Sequence, residues 1–176
     1  MTPDTTPATM PGAFLPDSDA AAALQQTATN ILDRVGGTLD ANTMPLLTAD
    51  QITLLAYSTL RAEVLEGGFI QLIHNGYGPF IFLNPFAKAM RLWGKELAPD
   101  AAGEVLHSFS RLVYDGRQLF ERHGAALTAE MDDDAFMALY EQYPDFDELD
   151  DTFIDTEDDI TAAVMSYVSS HQDAFS

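Results

Sequence analysis

Residues 48–71 read TADQITLLAYSTLRAEVLEGGFIQ, a stretch that carries the period of an amphipathic helix. Thr48 and Gln51 stand three residues apart ahead of an apolar run. At that spacing a threonine hydroxyl and a glutamine amide cap each other's free backbone amides, so a helix is predicted to open here. Ile52, Leu55, Leu60 and Val64 continue it as an apolar stripe, and Gly67-Gly68 stops or kinks it. Phe69 to His74 reads equally as a short buried helix or a strand. Asn75-Gly76 is a turn signal, and Asn84-Pro85 has the form of an N-cap followed by a first-turn proline.

The helical period extends in both directions. Upstream, Ser18 is placed to cap a helix running to about Arg34, ended by Gly36 and Gly37. Downstream, Val105, Phe109, Leu112, Val113 and Phe120 form one stripe in a helix from Pro99 to about His123, ended by Gly124. Three further amphipathic pieces follow: Phe136, Leu139, Tyr140 and Tyr143; then Phe146, Leu149 and Phe153; then Ile160, Val164, Tyr167 and Val168. Residues 1–16, with four prolines and no period, read as a flexible, disordered leader. With no repeat, no alternating strand pattern and no interdomain linker, residues 17–176 are expected to form a single all-α domain with an acidic C-terminal third over 130–173.

The chain has 176 residues, 47% of them hydrophobic, enough for a real core. It has no cysteine, which excludes disulfides, thiolate nucleophiles and thiolate zinc sites and points to a reducing cytoplasm. No basic residue precedes Arg34, so the start of a signal peptide is missing, and Phe69 to Phe86 is too short and too polar to cross a bilayer. The 28 acidic residues against 8 basic ones give −20, which argues against direct binding to nucleic acid or an anionic membrane and for a cationic partner.

That charge is unevenly spread. Residues 1–122 hold 13 acids and 8 bases, or −5, whereas residues 123–176 hold 15 acids and no lysine or arginine, or −15. Asp132, Asp133 and Asp134 have a local reason as helix-start acids, and so do Glu157, Asp158 and Asp159 behind the expected cap Thr156. The segment from Pro144 to Asp155 has none. At about 100° per residue, Phe146, Leu149 and Phe153 share one face, and Asp147, Glu148, Asp151 and Asp155 share the opposite one. The pairs Asp147/Asp151 and Asp151/Asp155 each cost about 0.2–0.5 kcal/mol, so this ridge lowers stability and is read as a contact surface, the alternative being a face that serves solubility alone. With the flanking Asp145 and Asp150 it forms the expected partner-binding set.

A compact chain of this length is about 40 Å across, and duplex DNA of that length carries roughly 24 phosphates, comparable with the net charge here. Carboxylates about 6 Å apart along a helix present a phosphate-like row to a protein that grips DNA with Lys and Arg.

The motif Gly67-Gly68-Phe69-Ile70-Gln71, followed by Asn75-Gly76 and Trp93-Gly94, resembles a bacterial family of acidic DNA-mimic proteins, from about Gln51 to the C-terminus. The resemblance implies a small, helical, cytoplasmic homodimer that sequesters a DNA-binding transcription regulator, a helix-turn-helix protein being the expected type. The alternative with the same electrostatics is an immunity or anti-toxin protein that neutralises a cationic toxin.

Other chemistry has little support. No window supplies the ligands and sixth-position glycine of a calcium loop, and His74, His107, His123 and His171 lack metal-binding spacing, so no metal and no cofactor are expected. Gly76-Tyr77-Gly78-Pro79 has neither the length nor the lysine of a phosphate loop, and no serine sits in a nucleophile elbow, so no enzymatic activity is expected.

Overall fold

A computed structural model describes residues 17–176, among which there are helices and no strand; the leader read over residues 1–16 lies outside the described residues. The reciprocal cap forms as expected. The Gln51 amide donates to Thr48 Oγ1 at 3.2 Å, and the Thr48 amide donates to Gln51 Oε1 at 2.9 Å. Helix α2 (Ala49–His74) runs on from there, preceded by α1 (Asp17–Asp33), which already includes Ser18, and by a short 3-10 turn at Met44–Leu46. A π-turn at Pro79–Leu83 leads to α3 (Phe86–Leu97), α4 (Ala101–Thr128), α5 (Asp133–Gln142), α6 (Asp145–Ser170) and the final turn α7 (Gln172–Phe175).

Gly67-Gly68 kinks α2 without ending it. Gly68 adopts φ +78°, which is strained for any residue with a Cβ, and the chain resumes as helix, so Phe69 to His74 is helical. Gly76 turns the chain at φ +91° where the Asn75-Gly76 signal stands. Helices α3 and α4 cross where Gly94 meets Gly103. A Cβ on Gly94 would lie 2.8 Å from the Gly103 carbonyl oxygen, and one on Gly103 would lie 2.6 Å from the Gly94 carbonyl oxygen. Trp93-Gly94 is thus a packing element.

The core centres on α6. Its second half, Ile160 to Val168, is almost wholly buried beneath α1, α2 and α4. Ala20, Leu24, Ala28 and Ile31 of α1 are buried with it. Tyr57 meets Phe109 edge-on at 5.5 Å, and Phe109 meets Phe153 at 6.0 Å.

Three local expectations are corrected. Gly124 does not end α4, which continues to Thr128: the stripe carries on to the fully buried Leu127, and the missing Cβ leaves room for the Phe120 ring. Asn84 is not an N-cap; its amide donates to the Phe80 carbonyl at 3.1 Å, and α3 opens one residue later behind Pro85. Thr156 does not open a helix either. It lies inside α6, its hydroxyl bonded back to the Thr152 carbonyl at 2.7 Å, so the two last amphipathic pieces are one continuous helix.

Candidate functional site

The glycine kink positions the acidic face. Phe69 N–H donates to Asp150 Oδ1 at 2.8 Å, and the Gly67 carbonyl accepts the Tyr140 hydroxyl at 2.7 Å. Helices α5 and α6 are thereby pinned to the backbone groups that the kink turns outward. A Cβ on Gly68 would overlap the Asp150 carboxylate, so glycine here is required twice, by its φ and by the approach of α6. Asp132 caps α5 by accepting from the Ala135 amide at 2.8 Å.

The second anchor is a buried polar chain. Arg61 Nε donates to Glu157 Oε2 at 2.7 Å, Thr161 donates to the same oxygen at 2.7 Å, and Tyr57 and Thr161 hydroxyls meet at 2.7 Å. Thr161 has one proton, committed to Glu157, so Tyr57 donates to Thr161. Burial pushes the Tyr57 hydroxyl pKa upward, which keeps it a donor. Glu157 is therefore not a helix-start acid. It occupies a core position on the stripe Phe146, Leu149, Phe153, Ile160, with its charge matched by Arg61.

With α6 held at both points, Asp147, Glu148, Asp151 and Asp155 all stand exposed on its outer face, and among the described residues none of their carboxylates takes part in a hydrogen bond or ion pair. Because α6 is unbroken, Asp158 and Asp159 extend the same face by a further turn. The row from Asp147 to Asp159 is about 18 Å long at 1.5 Å per residue, and Ile154, 51% exposed, is the apolar side chain within it. Asp158 and Asp159 are therefore not the helix-start acids expected from the sequence, since they lie in the interior of α6. The spacing of seven from Phe153 to Ile160, which keeps both stripes in one register, was the signal that carried this extension.

The other two expected residues differ from this row. Asp145 lies 3.8 Å from Arg122, which offsets part of its charge, and 3.6 Å from the His123 ring. Asp150 is half-buried and faces the kink; burial, then the neighbouring charges of Asp147 and Asp151, push its carboxyl up to about 6 against the opposing bond from Phe69. Among the described residues no cluster of three or more His, Asp or Glu is placed to hold a metal ion, and no helix is long and apolar enough to cross a membrane.

Beside the row, α4 and α6 part to form a furrow. Val105, Phe109, Leu112 and Ile160 floor it, Ser108, Thr152 and Thr156 keep its walls low, and Glu104 and Asp159 stand at its edges. It continues past Leu149 between Asp115 and Glu148, with Arg111 on the α4 side.

Residues 45–171 match the family described as DMP19-like protein. The chain is also 31% identical over 130 residues, 73% of its own length and 72% of the other, to a protein of Neisseria meningitidis serogroup B (strain ATCC BAA-335 / MC58) named DNA mimic protein DMP19.

Proposed function

The chain belongs to the DMP19-like protein family, and from that premise we propose that it is a non-enzymatic DNA mimic. It occupies the DNA-binding face of a basic protein, a helix-turn-helix transcription regulator by preference, and blocks that protein's binding to DNA. The observation that carries this reading is the row Asp147, Glu148, Asp151, Asp155 and Asp159 on one outward face of a helix whose other half is locked in the core. Fixed carboxylates on a rigid element form a charge pattern that needs no ordering when the partner arrives.

The proposed contact set is that row, with Asp145 at its edge and Asp150 as the residue that aims it. The proposed compartment is the cytoplasm, consistent with the absence of cysteine. The proposed assembly is a homodimer. It is supported by the exposed Leu92 on an apolar furrow lined also by Ile52, Phe80 and Phe86, on a part of the surface that shares no lining residue with the acidic row.

The test is capture at low salt on the immobilised protein from the source lysate, followed by elution with duplex DNA. The expected result is a DNA-binding regulator that the duplex releases. A captured partner that holds duplex and this protein at once would overturn the reading, and release of a toxin that ignores duplex would replace it with neutralisation of that toxin.

A further inference from the structure

The furrow between α4 and α6 has an apolar floor and acidic edges, a combination that charge mimicry alone does not call for. Its two stretches enclose about 410 and 250 Å³ and share Ser108, Leu112 and Thr152, so they form one channel. Along α4 it extends from Ala101 to Asp115, about 21 Å at 1.5 Å per residue, or about four helical turns. The edges carry Glu104 and Asp115 on α4 and Glu148 and Asp159 on α6, against the single base Arg111. Glu148 and Asp159 belong to the acidic row as well, so row and furrow form one continuous surface.

We propose that this furrow seats the apolar side chains of a cationic amphipathic helix of the partner, while the row and the furrow edges pair with that helix's Lys and Arg. The occupant follows from the charges. An apolar stripe fits the floor and flanking cations fit four carboxylates. An apolar furrow beneath Leu92 is lined by Lys88 as its one charged residue and offers a basic helix no such match. The proposal rests on the mimic reading for the partner's basic character and adds what duplex DNA cannot supply to the competition, an apolar contact that salt does not screen.

The full-length protein is titrated with two fluorescein-labelled helical peptides of about 18 residues and equal Lys and Arg content. One carries leucine at helical spacing and the other glutamine at the same positions. Anisotropy is read at about 0.05 M and about 0.3 M salt. The leucine peptide is expected to bind roughly ten-fold tighter and to keep that advantage at the higher salt. In Ser108→Trp, which fills the middle of the furrow from an exposed position, the advantage should vanish while glutamine-peptide binding is unchanged. Equal binding of the two peptides by the wild type, or an advantage that survives Ser108→Trp, overturns the proposal. The wild-type comparison stands even if that variant folds poorly. Failure of the mimic reading would instead appear as a captured partner that duplex DNA cannot displace, a result that leaves the peptide data untouched.

Discussion

Asp150 accepts the Phe69 amide across a sequence separation of 81 residues, and its carboxylate fills the space that a side chain on Gly68 would need. One glycine thus sets both the bend of α2 and the seating of the acidic helix.

Gly68→Ala is expected to lower stability by about 2–4 kcal/mol, since it combines a left-handed backbone with displacement of Asp150. Gly76→Ala has φ +91° but open space around it and should cost about 1 kcal/mol. Urea denaturation of the two variants side by side separates the clash from the backbone term.

The pH dependence of stability has a definite sign at Asp150. Its folded carboxyl titrates at about 6, above the ordinary value of 3.8, so the folded state holds the proton more tightly than the unfolded chain. That contribution is fully present below about pH 4 and is lost as pH rises through about 6. Asp150→Asn keeps an acceptor for Phe69 and removes the charge. It should gain stability relative to wild type at pH 7.5, match it near pH 4, and flatten the profile between, as read by denaturation at several pH values.

Kink and cap were legible in the sequence because their information is local: Thr48 and Gln51 are three apart, and paired glycines interrupt an apolar stripe wherever they occur. The unbroken α6 was not, because Thr156 followed by three acids has the local form of a helix start, while the decision lay in the stripe register from Phe153 to Ile160. The pairings of Asp150 with Phe69 and of Arg61 with Glu157 span 81 and 96 residues, beyond any local pattern. The exposed ridge Asp147, Glu148, Asp151 and Asp155 was legible because its amphipathic period is local too.

Glu157 and Asp159 should respond in opposite ways. Glu157→Ala leaves Arg61 half-buried without its partner and is expected to cost about 2–4 kcal/mol in a thermal melt. Asp159→Asn, on the surface, should leave the melt within about 0.5 kcal/mol and weaken partner binding.

Replacing Asp147, Glu148, Asp151 and Asp155 by Asn, Gln, Asn and Asn removes three like-charge pairs at four-residue spacing, Asp155/Asp159 among them, so stability should hold or rise by up to about 1.5 kcal/mol. Affinity for the captured partner should fall by roughly ten-fold or more. An unchanged dissociation constant would mean that the contact surface lies elsewhere.

In light scattering the protein should have twice the mass of its 19.2 kDa chain. Leu92→Asp, on the apolar patch of α3, should shift it to the single-chain mass without altering the helical spectrum.

Helix α1 lies outside the matched region 45–171, yet Ala20 and Ile31 are completely buried and Arg34 donates to the carbonyl of Phe175 at 2.9 Å. The region matched by the family and the folding unit of this chain therefore do not coincide. A polypeptide trimmed to the shared region would keep every acid of the row but bare the inner half of α6, turning the helix that now displays charge into one that seeks cover.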